Sequence, residues 1–296
     1  MSGSGFARGD DGAWLRQGGD PARLAFYRQL GTVIALGDDV GRALVFVGWN
    51  GSGGCGTIGD FTGGAGLLAR AEAALRALGV NEAIGPLDGN TFFPYRVTLG
   101  PNDAPVFMGE PVGAADIWRR AGWREDARYV SNLALNGPQI ARDRGLPAGW
   151  TLRALDSDRF EEEIAALYRV TTGAFAHAWR YAPIPLAAFS ALYAPFRNRI
   201  DPRWVLVGAD PRGVVQAFQF AWPEREFFVI KTLAVHPEAQ GLRLMNHFAA
   251  AAARVADSVG IGAGVHALMW EGAVSNVASA DRGETIRRYA LYRKRI

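Results

Sequence analysis

A single cysteine, Cys55, in 296 residues excludes an internal disulfide framework and any cysteine-based structural zinc site. Lysine is almost as scarce: Lys231 and Lys294 are the only two. No window approaches the roughly eighteen consecutive apolar residues that a membrane helix requires. The richest stretch, 248–259, is Ala-rich and carries Arg254 and Asp257. The opening MSGSGFARGDDGAW has no apolar core of a secretory signal, so a cytoplasmic protein is expected, without a membrane partner. An excess of one charge sign is missing too. Lys+Arg 32 against Asp+Glu 29 leaves +3, too little for a dedicated nucleic-acid binder. The excess is local: between Asp281 and Ile296, Arg282, Arg287, Arg288, Arg293, Lys294 and Arg295 face only Asp281 and Glu284, a net of +4 that leaves the rest of the chain close to neutral.

What is present is core-forming material: 49% of the residues are hydrophobic and 21% charged. The length is about twice that of a common domain and predicts two. Strand-length apolar runs are expected at 31–36, 43–49, 55–61, 83–87 and 128–135, with helices at 21–30, 67–78 and 113–121. Leucines 67, 68, 75 and 78 recur at helical spacing, and Gly79 is a natural stop. The stretch 136–149, with Pro138, Gly145, Pro147 and Gly149, reads as the linker. Beyond it the pattern recurs: a helix at 157–172, a Pro-punctuated helical region at 181–196, then strands at 204–207, 214–222 and 227–235. A loop at 236–242 precedes a long helix at 243–259, a strand at 265–270 and a last strand at 286–293. The prediction is α/β (α+β) with a mixed, mostly antiparallel sheet, in two domains, 1–145 and 146–296.

The strongest local feature is Phe227-Phe228-Val229-Ile230-Lys231-Thr232-Leu233-Ala234-Val235-His236-Pro237-Glu238-Ala239-Gln240-Gly241, an apolar strand that stops at a proline before a long helix. A helix N-terminus presents unpaired N–H groups and partial positive charge, which suit a phosphate. An ordinary strand–loop–helix connection would read the same way. The stretch resembles the acetyl-CoA-binding core of the GNAT N-acyltransferases, where a strand ending in V-x-P is followed by [Arg/Gln]-x-x-Gly-x-[Gly/Ala]. Gln240 takes the first place of that motif, but Arg243 and Met245 stand where the family has small residues. The tail Arg287–Lys294 is similar to the aromatic-rich last strand of such domains. In the first half, Asp60-Phe61-Thr62-Gly63-Gly64-Ala65 before an Ala/Leu helix resembles the same order, with Asp60 in place of the [Arg/Gln].

The resemblance implies two tandem GNAT-like domains, the first degenerate and the second holding the acyl-CoA site. It implies acetyl-CoA or another acyl-CoA as co-substrate, no metal, and a small-molecule amine acceptor. Cofactor-binding candidates are Leu233, Ala234, Val235, Gln240, Gly241, Leu242, Arg243 and Asn276. Glu224 or Glu226 would be the base, and Tyr289 or Tyr292 the acid, although tyrosines three apart on a strand face opposite sides. The four histidines, His177, His236, His247 and His266, lack metal-site spacing; His236 alone stands beside the expected thioester. The aromatics Tyr168, Phe175, Trp179, Tyr181, Phe189, Tyr193 and Phe196 flank the expected acceptor side, as core or as the wall of a partly apolar pocket. A degenerate pair that binds acyl-CoA or a protein partner without turnover, and an aminoacyl-tRNA-dependent transferase of Fem type, are the alternatives. Monomer and homodimer stay equally open.

Overall fold

The computed structural model describes residues 9–49, 55–100, 105–281 and 283–296. Aspartates start the first two helices. Asp10 accepts from the Ala13 amide ahead of α1 (Asp11–Arg16), and Asp20 accepts from the amides of Ala22 and Arg23 ahead of α2 (Pro21–Leu30). The chain continues through β1 (Thr32–Gly37), β2 (Arg42–Val47), β3 (Cys55–Thr62), α3 (Ala65–Ala77), β4 (Glu82–Gly85), β5 (Val97–Leu99), α4 (Ala115–Arg120) and β6 (Arg124–Leu135). Then come α5 (Asn136–Ala141), β7 (Thr151–Ala154), α6 (Phe160–Ala174), α7 (Leu186–Tyr193), β8 (Val205–Ala209), β9 (Val215–Pro223) and β10 (Phe228–Val235). The remainder is α8 (Leu244–Asp257), β11 (Ala263–Trp270), α9 (Val274–Ala280) and β12 (Gly283–Arg295). The architecture is mixed α/β with mostly antiparallel strand pairing, as the sequence predicts. Among the described residues no helix is long and apolar enough to cross a membrane.

The backbone divides into two compact units that are not consecutive in sequence. The first comprises the described residues of 1–128, 179–182 and 288–296, and the second those of 129–178 and 183–287. The linker expected at 136–149 therefore lies inside the second unit, where its first six residues form α5. The last strand, expected to close the second domain, delivers its residues from Arg288 onward to the first.

In the first unit β1, β2 and β3 pair antiparallel, β3 pairs parallel with β4, and β12 pairs antiparallel with β4 and β5. The leucine stripe of α3 does what its spacing predicts: Leu67, Leu68 and Leu75 are buried against Val45, Ile58, Trp118 and Tyr292. In the second unit the order is β6-β11-β10-β9-β8-β7, with only β10 and β11 parallel. One face of that sheet carries Phe228, Ile230, Ala217 and Ala221 against Leu244, Phe248, Ala252 and Ala256 of α8. The small alanines let the α8 backbone lie close to the sheet. Phe218 and Phe220 alternate with Ala217 and Ala221 and face the other way, toward α6 and α7.

Candidate functional site

The second unit contains a fork. β10 and β11 are in register only from Phe228↔Gly264 to Ile230↔His266. Immediately afterward β10 takes a bulge: Ile230 faces Ala221 and Thr232 faces Phe220, so Lys231 is an extra residue in that register. β11 is irregular as well, with a register shift between His266 and Met269 and a left-handed Leu268 (φ 58°). Beyond the apex, Thr232 to Val235 stay paired with β9, while no β11 partner continues the ladder on their other side. The main-chain edge of Thr232–Val235 on that side is thus open to an extended, amide-bearing ligand, the geometry by which a peptide-like group adds to a sheet.

The bulge also exchanges the faces of the strand. Leu233 and Val235 pack toward α8, whereas Thr232 and the buried Ala234 join Phe220 and Phe218 on the α6–α7 side. Had the alternation of Phe228 and Ile230 continued, those two pairs would sit the other way round.

After β10 the chain turns at Pro237 and enters α8 through Gln240, Gly241, Leu242 and Arg243. Gly241 (φ 85°) and Arg243 (φ 57°) are both left-handed, and Arg243 is the N-cap of α8. A left-handed arginine costs about 1–2 kcal/mol that glycine would not. The loop therefore keeps a glycine-type backbone while carrying a guanidinium. Arg142 and Arg144 line the same pocket, together with Leu242, Asn246 and His247. Among the described residues none of the three guanidinium groups has an acidic partner or a hydrogen bond. The intervening Asp143 is tied down: it accepts from His247 Nδ1 at 2.6 Å and from Arg254 at 2.5 Å. Burial pushes its carboxyl upward, but those two hydrogen bonds outweigh it and hold the acid below the usual range. Three guanidinium groups thus gather around the start of a fourteen-residue helix, an arrangement whose charge suits a polyanion.

The remaining candidates land in three places. Leu233 through Arg243 form one continuous strand–turn–helix path. Asn276 lies on α9, where its side-chain amide donates to the Glu271 carbonyl. Glu224 and Glu226 occupy the β9–β10 hairpin, at the opposite end of β10 from the fork. Four residues separate Glu226 from Lys231, and the last three of them, Phe228 to Ile230, belong to β10. Tyr289 and Tyr292 are wholly buried in the first unit, because β12 from Arg288 onward pairs there with β4 and β5. Tyr289 donates to Glu110 at 2.5 Å, and the Tyr292 ring stacks on Trp118. Burial pushes the Tyr292 phenol up. Both pack within the core of the first unit.

His236 ends β10 with its ring packed against Gly173 of α6. Sequence reasoning passed over His266 at the fork apex, whose Nδ1 lies 2.7 Å from Ser279 Oγ; Ser279 in turn accepts from Asn132. It also read Arg142 and Arg144 as linker, although the Arg-Asp-Arg run was visible. Among the described residues no group of three His, Cys, Asp or Glu side chains could hold a metal ion.

The corresponding strand of the first unit is closed. β3 and β4 pair from Cys55↔Glu82 to Thr57↔Ile84, and then the chain itself fills the opening. The Leu87 amide donates to Ile58 at 2.9 Å, and the Asp60 amide donates to Asp88 at 2.6 Å. A Cβ on Gly59 would lie 2.1 Å from the Asp88 carboxylate. Asp60, expected near a phosphate, instead accepts from Trp14 Nε1 and pairs with Arg23 and Arg42.

No family model matches the sequence. Solved structures do resemble it. A tandem GNAT protein from the clavulanic acid biosynthesis pathway superposes with a TM-score of 0.55 at 12% identity, over 86% of this chain and 79% of that one. The fold is a tandem GNAT fold. A GCN5-related N-acetyltransferase from Sphaerobacter thermophilus agrees at TM-score 0.53 and 14% identity, over 96% of this chain and 89% of its own. A sequence relative is the bacterial ceramide synthase of Caulobacter vibrioides, 30% identical over 148 residues. That match takes in 47% of this chain and 38% of the relative, so the chain spans well under half of that protein's length. In GNAT terms, the second unit has the open fork and the first the filled one.

Proposed function

We propose that the second unit is an N-acyltransferase that moves an acyl group from coenzyme A to an amine by direct attack, and that the first unit holds no cofactor. The observation carrying this reading is the fork: the unpaired edge of Thr232–Val235 leads straight into the arginine-lined start of α8. The amides of a pantetheine arm would add to that edge as a partial strand, and the pyrophosphate would sit against Arg243, Arg142 and Arg144. The small residues of the family loop let backbone approach phosphate. Here Arg243 keeps the left-handed backbone and supplies charge instead. In the reaction the amine lone pair forms the C–N bond and the thioester C–S bond breaks. The amine's proton is lost and the leaving thiolate gains one. The chain contributes orientation and backbone N–H groups at the bulge for the developing oxyanion. Ceramide is itself an N-acylated amine, so the likeness to a ceramide synthase supports this bond type.

Thermal unfolding with coenzyme A tests the reading. At one hundred times Kd, binding stabilises by about 2.7 kcal/mol, a rise of roughly 5–10 °C for a domain of this size. Arg243→Glu is expected to abolish the rise. Arg243→Gly is expected to raise the ligand-free Tm, by releasing the left-handed strain, while weakening coenzyme A about tenfold. A wild-type Tm indifferent to coenzyme A would remove the cofactor site; an unchanged affinity in Arg243→Glu would remove the guanidinium from it.

A further inference from the structure

A second cavity of this unit has no part in holding a nucleotide. It lies between the helices α6 and α7 and the face of the sheet opposite α8; its cavity volume is about 50 Å³, inside about 570 Å³ of non-atom space that includes the open mouth. Its lining is almost wholly hydrocarbon and aromatic: Ile164 from α6, Phe189 and Tyr193 from α7, and Phe218, Phe220 and Thr232 from the sheet. Only Ser157, Tyr193, Arg197 and Thr232 bring side-chain polar atoms. Arg197 is turned to Glu161, at 2.7 Å, and lies over the Phe160 ring. Burial pushes the Tyr193 phenol up to about 12, as expected of a wall that excludes water. A cavity so predominantly apolar gains little from water and offers a polar acceptor few anchoring groups.

The decisive feature is where the cavity begins. Thr232 lines it, and Thr232 is the first residue after the Lys231 bulge, at the fork apex. The bulge turns Thr232 and Ala234 to this face; without it, Leu233 and Val235 would point there. A group held at the fork is therefore adjacent to an apolar chamber on the acceptor side of the sheet. Resting on the acyl-transfer reading, we propose that this cavity seats a hydrocarbon chain borne by one of the two reactants, so that the amide formed at the fork is a lipid amide. The chain is either the acyl tail of the thioester or the tail of a long-chain amine.

The test is a chain-length series on the full protein, at concentrations below micelle formation. Dissociation constants are measured for coenzyme A and for its acetyl, octanoyl and dodecanoyl thioesters, and in parallel for butyl-, octyl- and dodecylamine. Each buried methylene strengthens binding by up to about fourfold, so the reactant that owns the tail should show at least a hundredfold gain across its series. Ile164→Trp fills the chamber and is expected to erase that gain while leaving acetyl-CoA affinity unchanged. Leu155→Trp, from a half-buried position on the same lining, repeats the test should the first variant fail to fold. A gradient confined to thioesters assigns the tail to the acyl group, and one confined to amines assigns it to the acceptor. Coenzyme A binding with no gradient in either series overturns the proposal and leaves the acyl-transfer reading intact. An amine gradient without any coenzyme A binding keeps the chamber and removes that reading. A gradient that survives both variants also overturns the proposal, since the chain then binds elsewhere.

Discussion

Phe228→Ala is expected to lower unfolding free energy by about 3–5 kcal/mol, read as a fall in urea midpoint at unchanged slope. The ring is wholly buried, 5.6 Å from Trp204 between centroids, within the cluster that joins the sheet to Leu244 and Phe248 of α8. It also fills the place of a missing side chain on the next strand: a Cβ on Gly264 would stand 2.6 Å from the Phe228 ring. Phe228↔Gly264 is the first of the three register pairs that bind β10 to β11 before they part. The same substitution should therefore weaken acyl-CoA binding, although Phe228 lies about 13 Å along the strand from Thr232. Gly264→Ala tests the pairing from the other side. It should cost about 1–3 kcal/mol alone, through overpacking, and much less in the Phe228→Ala background, where the ring is gone. Additive losses would show that the fork apex is not held by this contact, and a loss under about 1 kcal/mol for Phe228→Ala would show a core able to collapse around it.

Periodicity made the leucine face of α3, the apolar run of β10 and the long helix after it legible. Those signals are local, and they sufficed for the GNAT resemblance and for the path from Leu233 to Arg243. The bulge was not legible. Lys231 looks like an ordinary exposed strand residue, and only the register shift between Ile230↔Ala221 and Thr232↔Phe220 reveals that the strand changes faces there. Chain order likewise hid the destination of β12. Tyr289 and Tyr292 follow the second unit in sequence, yet their partners are Thr98 and Gly85, nearly two hundred residues earlier. Pairing over that span is decided by packing of Tyr292 on Trp118 and of Tyr289 on Glu110, which no window of residues contains. The substitution at Arg243 was visible, but its meaning was not. The sequence shows a large residue where the family has a small one; the structure adds its left-handed backbone and the two arginines beside it, from a segment that looked like linker.

The closed strand of the first unit makes its own prediction, through Asp88. This carboxyl is fully buried, accepts from Tyr27 Oη at 2.9 Å and from the Asp60 amide at 2.6 Å, and plugs the edge that the second unit leaves open. Burial is the main cause that lifts it to about 6 from an ordinary 3.8; Arg23 opposes the rise and the Asp60 charge adds to it. A carboxyl raised in the folded state favours folding while it is protonated. Its contribution is complete below about pH 4, near the value in the unfolded chain, and is lost as pH climbs through 6. A rise of that size in a buried carboxyl corresponds to about 3 kcal/mol. Asp88→Asn keeps an acceptor for the Asp60 amide and removes the titration. The stability of the wild type relative to this variant should therefore fall by about 3 kcal/mol between pH 4 and 7.5, and level off above that. Asp11, Asp143, Asp201 and Asp210, all lowered, act in the opposite sense and mainly below pH 4, and they cancel in the difference because both proteins carry them. A difference that stays flat with pH would mean that Arg23 and the two hydrogen bonds outweigh burial and that Asp88 stays ionised. The plug would then be a charged cluster of Asp60, Asp88, Arg23 and Arg42, broken most severely by removing Arg23.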